Sequence, residues 1–299
     1  AIADGLTISG SSTIVEDVVG TIGSNIAWTH IDSDGSEIVT SVAISAFPVG
    51  STVAYTPVGG GAPVSFVVPA GGSTVTLTGG SEAQIRAALD TLQVQAPANS
   101  DADFTLSVSV TTSDNDGSTI VNNGTHAVVV QAVADTPTVT AGNLSGTEDN
   151  AIPIYIDAGN STDGDASETL SVRITIPSDG TGPVGTLSGT TPAGVTLTGL
   201  GGGVYLVTAT GATSAAREAS LDGFLNSGSL SFVPRGQWSG SLTGTSGIRV
   251  DAISTEQASN GQLANGSYGG ADGTSKTETV TTYVDLVVAS VVDLPVMAN

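Results

Sequence analysis

The sequence predicts an all-β protein made of two tandem antiparallel β-sandwich domains, each with one short helix. Three observations support this prediction: the composition is rich in Gly, Ser, Thr and Val, short alternating apolar runs recur, and the first half is repeated in the second. Ser, Thr and Val suit strands, whereas Gly suits turns. The length of 299 residues accommodates two domains of ordinary size.

Runs in which apolar and polar residues alternate predict the strands. The predicted strands cover residues 38–44, 73–77, 104–110, 127–133, 170–176, 205–209, 229–233, 247–252 and 280–289. Glycine triplets at 59–61 and 201–203 predict hairpin loops between strands. This spacing of short strands and turns is typical of a sandwich.

One short helix is predicted in each half of the chain. The first covers 82–92, where Ser81 is the expected N-cap and Gln84 completes a capping box. The second covers 215–225 and follows Ser214.

An internal repeat organises the chain. Asp4 and Asp135 are 131 residues apart, and so are Asp32 and Asp163. Features that are distant within one half therefore keep their spacing in the other, which indicates two copies of one structural unit.

The repeat predicts domain limits of 1–135 and 136–299. The second domain is longer, and part of its excess lies in a segment rich in Gly, Asn, Ser and Ala at 254–279. This composition predicts an inserted loop. A disordered insertion, or the remnant of a removed domain, is the alternative interpretation.

The charge balance restricts the partners of the protein. Six Lys and Arg residues stand against 28 Asp and Glu residues, a net charge of −22. Nucleic acids and anionic lipids need a basic surface, so neither is an expected partner. Bound divalent cations would relieve the self-repulsion of so acidic a chain. An acidic surface that only keeps the protein soluble is the alternative.

Several other classes of site are excluded or not expected. The absence of Cys excludes disulfides, thiolate zinc sites and a Cys nucleophile. The sequence has neither an apolar run long enough to span a bilayer nor a signal-peptide pattern. We therefore expect an internal segment of a longer protein, without direct membrane insertion.

Carboxylates occur in short clusters in both halves, and their oxygens are the ligands that Ca²⁺ prefers. The candidate calcium ligands of the first half are Asp4, Glu16, Asp17, Asp32, Asp34, Glu37, Asp114 and Asp116. Those of the second half are Asp135, Glu148, Asp149, Asp163, Asp165, Glu168, Asp251 and Asp293. With immunoglobulin-like connectivity we expect the clusters of each half to meet at one end of the sandwich. The alternative is ordinary Asp-Gly turn chemistry with solvated carboxylates.

The motifs resemble a known family. The Ala134-Asp135-Thr136-Pro137 junction, followed by Thr147-Glu148-Asp149, is similar to the immunoglobulin-like or cadherin-like tandem repeats of large bacterial RTX adhesins. Residues 32–37, Pro48-Val49-Gly50 and 87–92 also fit that pattern, although Asp165-Ala166 departs from its Asp-Gly step. The resemblance covers essentially the whole chain. It implies calcium at domain junctions, a stiff array, and an extracellular location on the bacterial cell surface.

Three functions are compatible with these features. The first is a calcium-stabilised extender, expected to be monomeric, whose partners are neighbouring repeats of the same chain. The second is calcium-dependent binding of a host or cell-surface peptide or glycan. The candidate ligand-binding residues for this role are Asp251, Glu256, Asn260, Asn265, Tyr268 and Asp272.

The third candidate is a glycosidase-type enzyme, which would use paired carboxylates. Carboxylate pairs are abundant here, so they discriminate little. His30 and His126 lie in different predicted strands without a serine motif, and both are expected to be structural. The expected function is therefore non-enzymatic.

Overall fold

A computed structural model of the protein describes residues 5–31, 36–114, 116–159, 168–256 and 276–292. These residues divide into two compact units, unit 1 ending at Val133 and unit 2 beginning at Ala134. Strands dominate both units, and two α-helices are described, one in each. The prediction of all-β sandwich domains with one short helix each is confirmed.

Unit 1 is built from eleven described strands and the helix α1 (Glu82–Leu89). The strands are β1 (Leu6–Ser9), β2 (Ser11–Val15), β3 (Gly20–Thr21), β4 (Ala27–His30), β5 (Ile38–Ser45), β6 (Thr52–Tyr55), β7 (Val64–Val67), β8 (Val75–Thr78), β9 (Gln93–Gln95), β10 (Phe104–Ser113) and β11 (Thr119–Gln131). The two main sheets have the orders β2-β11-β10-β5-β8 and β3-β9-β6-β7, and β1 pairs with β4.

Unit 2 contains thirteen described strands and the helix α2 (Ser214–Leu225). The strands are β12 (Thr138–Ala141), β13 (Leu144–Thr147), β14 (Ile152–Pro153), β15 (Ile156–Gly159), β16 (Thr169–Thr175), β17 (Gly185–Gly189), β18 (Val195–Gly201), β19 (Val204–Ala209), β20 (Leu230–Pro234), β21 (Gly240–Leu242), β22 (Ile248–Glu256), β23 (Lys276–Val284) and β24 (Leu286–Ala289). The sheet orders are β18-β19-β16-β22-β23, β13-β24-β21 and β14-β20-β17, and β12 pairs with β15.

The sheets are mainly antiparallel, but each unit contains one parallel pair. Strand β2 runs parallel to β11, with Val15 beside Gln131. Strand β13 runs parallel to β24, with Thr147 beside Ala289. In the described residues of each unit, this parallel pair joins a strand near the beginning of the unit to its last strand.

Each unit has its own apolar core between its sheets. In unit 1 the core includes Val42, Leu77, Leu106 and Val128, which are all fully or almost fully buried. In unit 2 the core is formed by buried apolar residues of its three larger sheets and of α2. Burial of this kind contributes about 25 cal/mol per Å² of apolar surface and is the main stabilising term of each sandwich.

The helices lie close to their predicted positions. Ser81 and Gln84 form the predicted capping box of α1, which buries Ile85 and Leu89 and ends at Leu89 instead of 92. For α2 the N-cap is Thr213 and not Ser214, because the Thr213 hydroxyl accepts the hydrogen bond from the Ala216 N–H.

The predicted loop at 254–279 is shorter in the structure. Strand β22 continues to Glu256 and β23 begins at Lys276, and the two strands pair over their full lengths. The intervening residues lie outside the described part of the chain. By contrast, both glycine hairpins are found, and Gly59 and Gly61 have the positive φ angles (82° and 133°) that favour glycine.

Candidate metal centre

The acidic residues of each unit lie at the two opposite ends of its strands. In unit 1, the length of β10 gives the distance between these two ends. At the end called upper here, Ser113 pairs with Thr119 and with Ile38. At the lower end, β11 finishes at Gln131. The ten residues of β10 span the distance between them, about 30 Å at the rise of an extended strand.

A pair of buried carboxylates lies at the upper end of unit 1. Thr112 pairs with Val39 and Ser113 with Ile38, and Asp114 and Glu37 are the next residues beyond this last pair. Glu37 is 8% and Asp114 is 5% exposed. Asp114 also begins a tight turn, in which its N–H donates to the Ser118 carbonyl. The register and the turn thus bring together two predicted ligands from distant parts of the sequence.

Unit 2 repeats this pair at its own upper end. The β16–β22 pairing ends at Thr169 and Thr255, so Glu168 and Glu256 are the next residues beyond it, and Glu256 pairs with Lys276 of β23. Both glutamates are 1% exposed. The Glu168 carboxylate accepts hydrogen bonds from the Ser254 hydroxyl, at 2.8 Å, and from the Asp135 N–H. The candidate ligand Glu256 therefore belongs with Glu168 and not with Asp251.

Unit 1 contains little positive charge of its own. Arg86 is the one Lys or Arg residue before Val133. Its guanidinium lies 3.3 Å from the centre of the Trp28 ring and donates to the Ile26 carbonyl at 2.5 Å. In unit 2 the Glu168 carbonyl accepts from Arg217, and Glu256 pairs with Lys276 across β22 and β23. The hard oxygen donors of these pairs fit Ca²⁺.

Asp116 lies close to this upper end but differs from Asp114. Its side chain is exposed, and hydrogen bonds from the Ser118 N–H and hydroxyl lower its pKa to about 2. Asp116 is therefore ionised at neutral pH, and its turn hydrogen bonds are those of ordinary Asp turn chemistry.

Glu16 and Asp17 lie at the lower end of unit 1, so the expectation that they join the two loops at one end is wrong. The Glu16 N–H donates to the Gln131 carbonyl, and the Glu16 carboxylate accepts from the Val133 N–H at 3.1 Å. The reason is the parallel β2–β11 pairing, which carries the end of β2 away from the upper end.

The lower end of unit 2 has the same arrangement. The Glu148 N–H donates to the Ala289 carbonyl, and its carboxylate accepts from the Val291 N–H at 2.7 Å. Asp17 and Asp149, which follow the two glutamates, both adopt positive φ angles of 55° and 66°. In each unit the glutamate therefore connects, through hydrogen bonds, the end of the last strand to a strand near the start of the unit.

Two further aspartates at the lower end of unit 1 were not predicted. Asp101 is fully buried, and Asp103 accepts a hydrogen bond from the Val130 N–H at 2.9 Å. Their Asp-x-Asp spacing, directly before β10, repeats the pattern of Asp32 and Asp34 and could have identified them.

Asp251 has a different environment from the other candidates. Its side chain is fully buried and lies on the opposite face of β22 from Ser254 and Glu256. Oδ2 accepts from Arg173, and Oδ1 accepts from Arg249 and Thr281. Burial raises the pKa of Asp251, but these hydrogen bonds outweigh burial and hold the pKa below its ordinary value. Both oxygens are thus engaged by cationic and hydroxyl donors.

The remaining predicted residues cannot be placed. The following candidates lie outside the described residues: Asp4, Asp32, Asp34, Asp163, Asp165, Asn260, Asn265, Tyr268, Asp272 and Asp293. Within the described ranges no three His, Cys, Asp or Glu side chains form a group that could hold a metal. The described part of each upper end therefore supplies a carboxylate pair and not a complete coordination shell.

The histidines occupy structural positions. Buried His126 shares a 2.8 Å hydrogen bond with the Ser12 hydroxyl, which also accepts from Asn25. His30 lies 3.3 Å from Glu82, whose carboxylate also accepts from the Trp28 indole. Because Ser12 and His126 are both buried, this serine–histidine pair is closed to a substrate.

Neither of the two helices in the described ranges is long and apolar enough to cross a membrane.

No family model and no curated protein matches the chain. Similar solved structures include the titin domains z1z2 in complex with telethonin (TM-score 0.30, 9% identity, 98% of this chain and 100% of that chain). Mouse cadherin-23 EC22-24 gives a TM-score of 0.30 at 10% identity, over 96% of this chain. Human CDH23 EC21-23 gives 0.31 at 15% identity, over 94% of this chain. The chain spans 65% and 67% of the lengths of these two cadherin fragments. At such low identities and scores, the fold assignment rests on the sheets and registers described above.

Proposed function

We propose that this chain is a calcium-stabilised, non-enzymatic extender segment of an extracellular adhesin on a bacterial surface. Calcium is held at the upper end of each unit, next to the Glu37–Asp114 pair and the Glu168–Glu256 pair. The single observation that carries the proposal is that two buried carboxylates follow the last residue pair at the upper end of the main sheet in both units.

The electrostatics of the pairs support a cation. Removing two carboxylates from water costs several kcal/mol for each ion unless an opposite charge compensates. Ca²⁺ takes six to eight oxygen ligands, more than one pair supplies. The acidic residues that precede each pair in sequence, Asp32 and Asp34 before Glu37 and Asp163 and Asp165 before Glu168, are proposed as the further ligands.

Two contacts, one within each unit, support the extender role. Glu16 of unit 1 accepts from the Val133 N–H, and Glu168 of unit 2 accepts from the Asp135 N–H. A cation beside Glu168 would neutralise the group that holds Asp135. We therefore expect calcium to restrict the motion of the connecting backbone, and chelation to release it.

Calorimetric titration of chelator-treated protein with calcium tests the metal assignment. We expect at least one site in each unit, with magnesium binding much more weakly. Glu37→Gln should remove or weaken binding in unit 1 alone, whereas Glu256→Gln should do so in unit 2 alone. Asp157→Asn alters an exposed aspartate of unit 2 and is the control. Absence of calcium binding to the unmodified protein would overturn the proposal.

Pulsed electron resonance between two spin labels tests the extender role separately. The chain has no cysteine, so Thr76→Cys and Thr198→Cys, both at exposed positions, would carry the labels cleanly. A narrower distance distribution with calcium than with chelator is expected. If calcium binds but the two distance distributions have equal widths, the calcium sites would stand and the stiffening role would be contradicted.

A further inference from the structure

Two arginines lie side by side on the outer face of the five-stranded sheet of unit 2. Arg173 on β16 pairs with Asp251 on β22, and Asp251 pairs with Thr281 on β23. Arg173 donates through Nε and Nη2 to one oxygen of Asp251, at 2.9 and 2.8 Å. Arg249 donates through Nε to the other oxygen at 2.7 Å. One buried carboxylate thus fixes two guanidinium groups.

The fixed guanidinium groups are still accessible. The side chains of Arg173 and Arg249 are 39% and 45% exposed, whereas the Asp251 side chain is 0% exposed. Within the described parts of the chain, neither arginine uses its Nη1 group in a hydrogen bond. The cluster therefore presents two oriented donor groups and one excess positive charge to solvent.

This local charge is unusual for the molecule. The chain has a net charge of −22 and six Lys and Arg residues, and two of the six meet here. A comparison within unit 2 is Arg235, which forms a one-to-one ion pair with Asp179 at 2.5 Å. Asp251 neutralises one of the two positive charges, so the cluster keeps one excess positive charge that an additional anion could balance.

The neighbouring side chains add a second recognition element. Tyr283 on β23 is directly opposite Arg249 and is 37% exposed. Opposite residues on antiparallel strands share a face, with Cβ atoms about 5 Å apart. Thr281 places a hydroxyl on the same face between the two arginines and the sheet edge.

We propose that Arg173, Arg249 and Tyr283 form a binding site for a single acidic sugar. The two guanidinium groups hold its carboxylate, and the tyrosine ring packs against the pyranose. Arginine forks match carboxylate geometry, and tyrosine combines an apolar face with a polar tip. A long polyanion is disfavoured by the net negative charge of the chain. The site does not depend on calcium.

The test uses methyl glucuronide as the probe, with methyl glucoside and acetate as comparisons. The Nε–H resonances of the five arginines are followed by ¹H–¹⁵N NMR on the full chain with calcium present. We expect the Arg173 and Arg249 resonances to shift, with a Kd of about 1–10 mM for so small a charged site. Acetate should bind more weakly than the glucuronide, and the glucoside should cause no shift.

Variants separate the sugar site from a purely structural ion pair. Arg249→Lys keeps the charge but loses the fork, and should weaken glucuronide binding at least fivefold. Tyr283→Thr should weaken binding of the glucuronide and not of acetate. Arg235→Lys is the matched control and should change neither. Melting curves followed by Trp238 fluorescence show that each variant is folded.

Three results would overturn the proposal. One is the absence of shifts at Arg173 and Arg249 with the glucuronide. Another is equal affinity for acetate and the glucuronide, which would leave a carboxylate contact without sugar recognition. The third is shifts of the same size at Arg235, which would indicate unspecific pairing with exposed arginines.

Discussion

Glu37 and Asp114 are the next residues after the last pair of the antiparallel strands β5 and β10, and both side chains are almost completely buried. Glu168 and Glu256 have the same relationship in unit 2. Carboxylate oxygens are the ligands that Ca²⁺ prefers in proteins. The proposed function requires that calcium binds beside these two pairs of carboxylates.

The first prediction concerns Glu256→Gln, which removes one charge of the unit 2 pair. In chelator the variant should be at least as stable as the unmodified protein, because the repulsion is relieved. In calcium its stabilisation should fall by about 1.4 kcal/mol or more, equivalent to a tenfold loss of affinity. Urea unfolding followed by Trp238 in a Trp28→Phe background reports unit 2 alone.

Asp157→Asn, at an exposed position, controls for a general loss of negative charge. An equal calcium response of Glu256→Gln and the unmodified protein would remove Glu256 from the metal site.

The second prediction concerns Glu148, whose carboxylate accepts a hydrogen bond from the Val291 N–H at 2.7 Å. Glu148→Ala should destabilise unit 2 by about 1.5–3 kcal/mol, because a charge-assisted hydrogen bond is lost at a buried position. Glu148→Gln retains an acceptor and should lose about half as much. Urea unfolding in the Trp28→Phe background measures both, and equal losses for the two variants would contradict the hydrogen-bonding role.

The third prediction concerns the buried His126 in unit 1. Burial lowers its pKa below the ordinary value, and its Nδ1 has no hydrogen-bond partner among the residues that the structure describes. The unfolded chain therefore takes up a proton first as the pH falls below about 6.5, and the folded state loses stability. Unit 1 should lose up to about 1.4 kcal/mol for each pH unit below that value.

Urea unfolding between pH 7.5 and 5.5, followed by Trp28 in a Trp238→Phe background, measures this loss. His126→Gln should abolish the slope, whereas His30→Gln, in the same unit, should retain it. Unit 2 contains no histidine, so its slope should be the same in the unmodified protein and in His126→Gln. A slope that survives His126→Gln would assign the effect to other groups.

The local parts of the fold could be predicted from the sequence, and the pairing of distant parts could not. Ser81 and Gln84 identify the start of α1 because a capping box involves only neighbouring residues. The alternation of strand residues does not distinguish parallel from antiparallel pairing. For this reason the β2–β11 pair, and with it the lower-end position of Glu16, was not foreseen.

The same distinction applies to the site residues. Glu37, Asp114 and Glu168 could be predicted as acidic candidates, but only the register shows that they follow the last residue pairs at the upper ends of the sheets. Asp251 was grouped with them because of its residue type. Its actual partners, Arg173 and Arg249, depend on which residues become neighbours across β16 and β22.

Thermal unfolding of the whole chain with calcium and with chelator tests the central claim most directly. A metal that binds only the folded state contributes about 2.7 kcal/mol at a hundredfold excess over its Kd, which raises the melting temperature by roughly 10 °C for a unit of this size. We expect such a rise with calcium, a much smaller one with magnesium, and its reversal by chelator. Identical melting curves under all three conditions would contradict the calcium assignment.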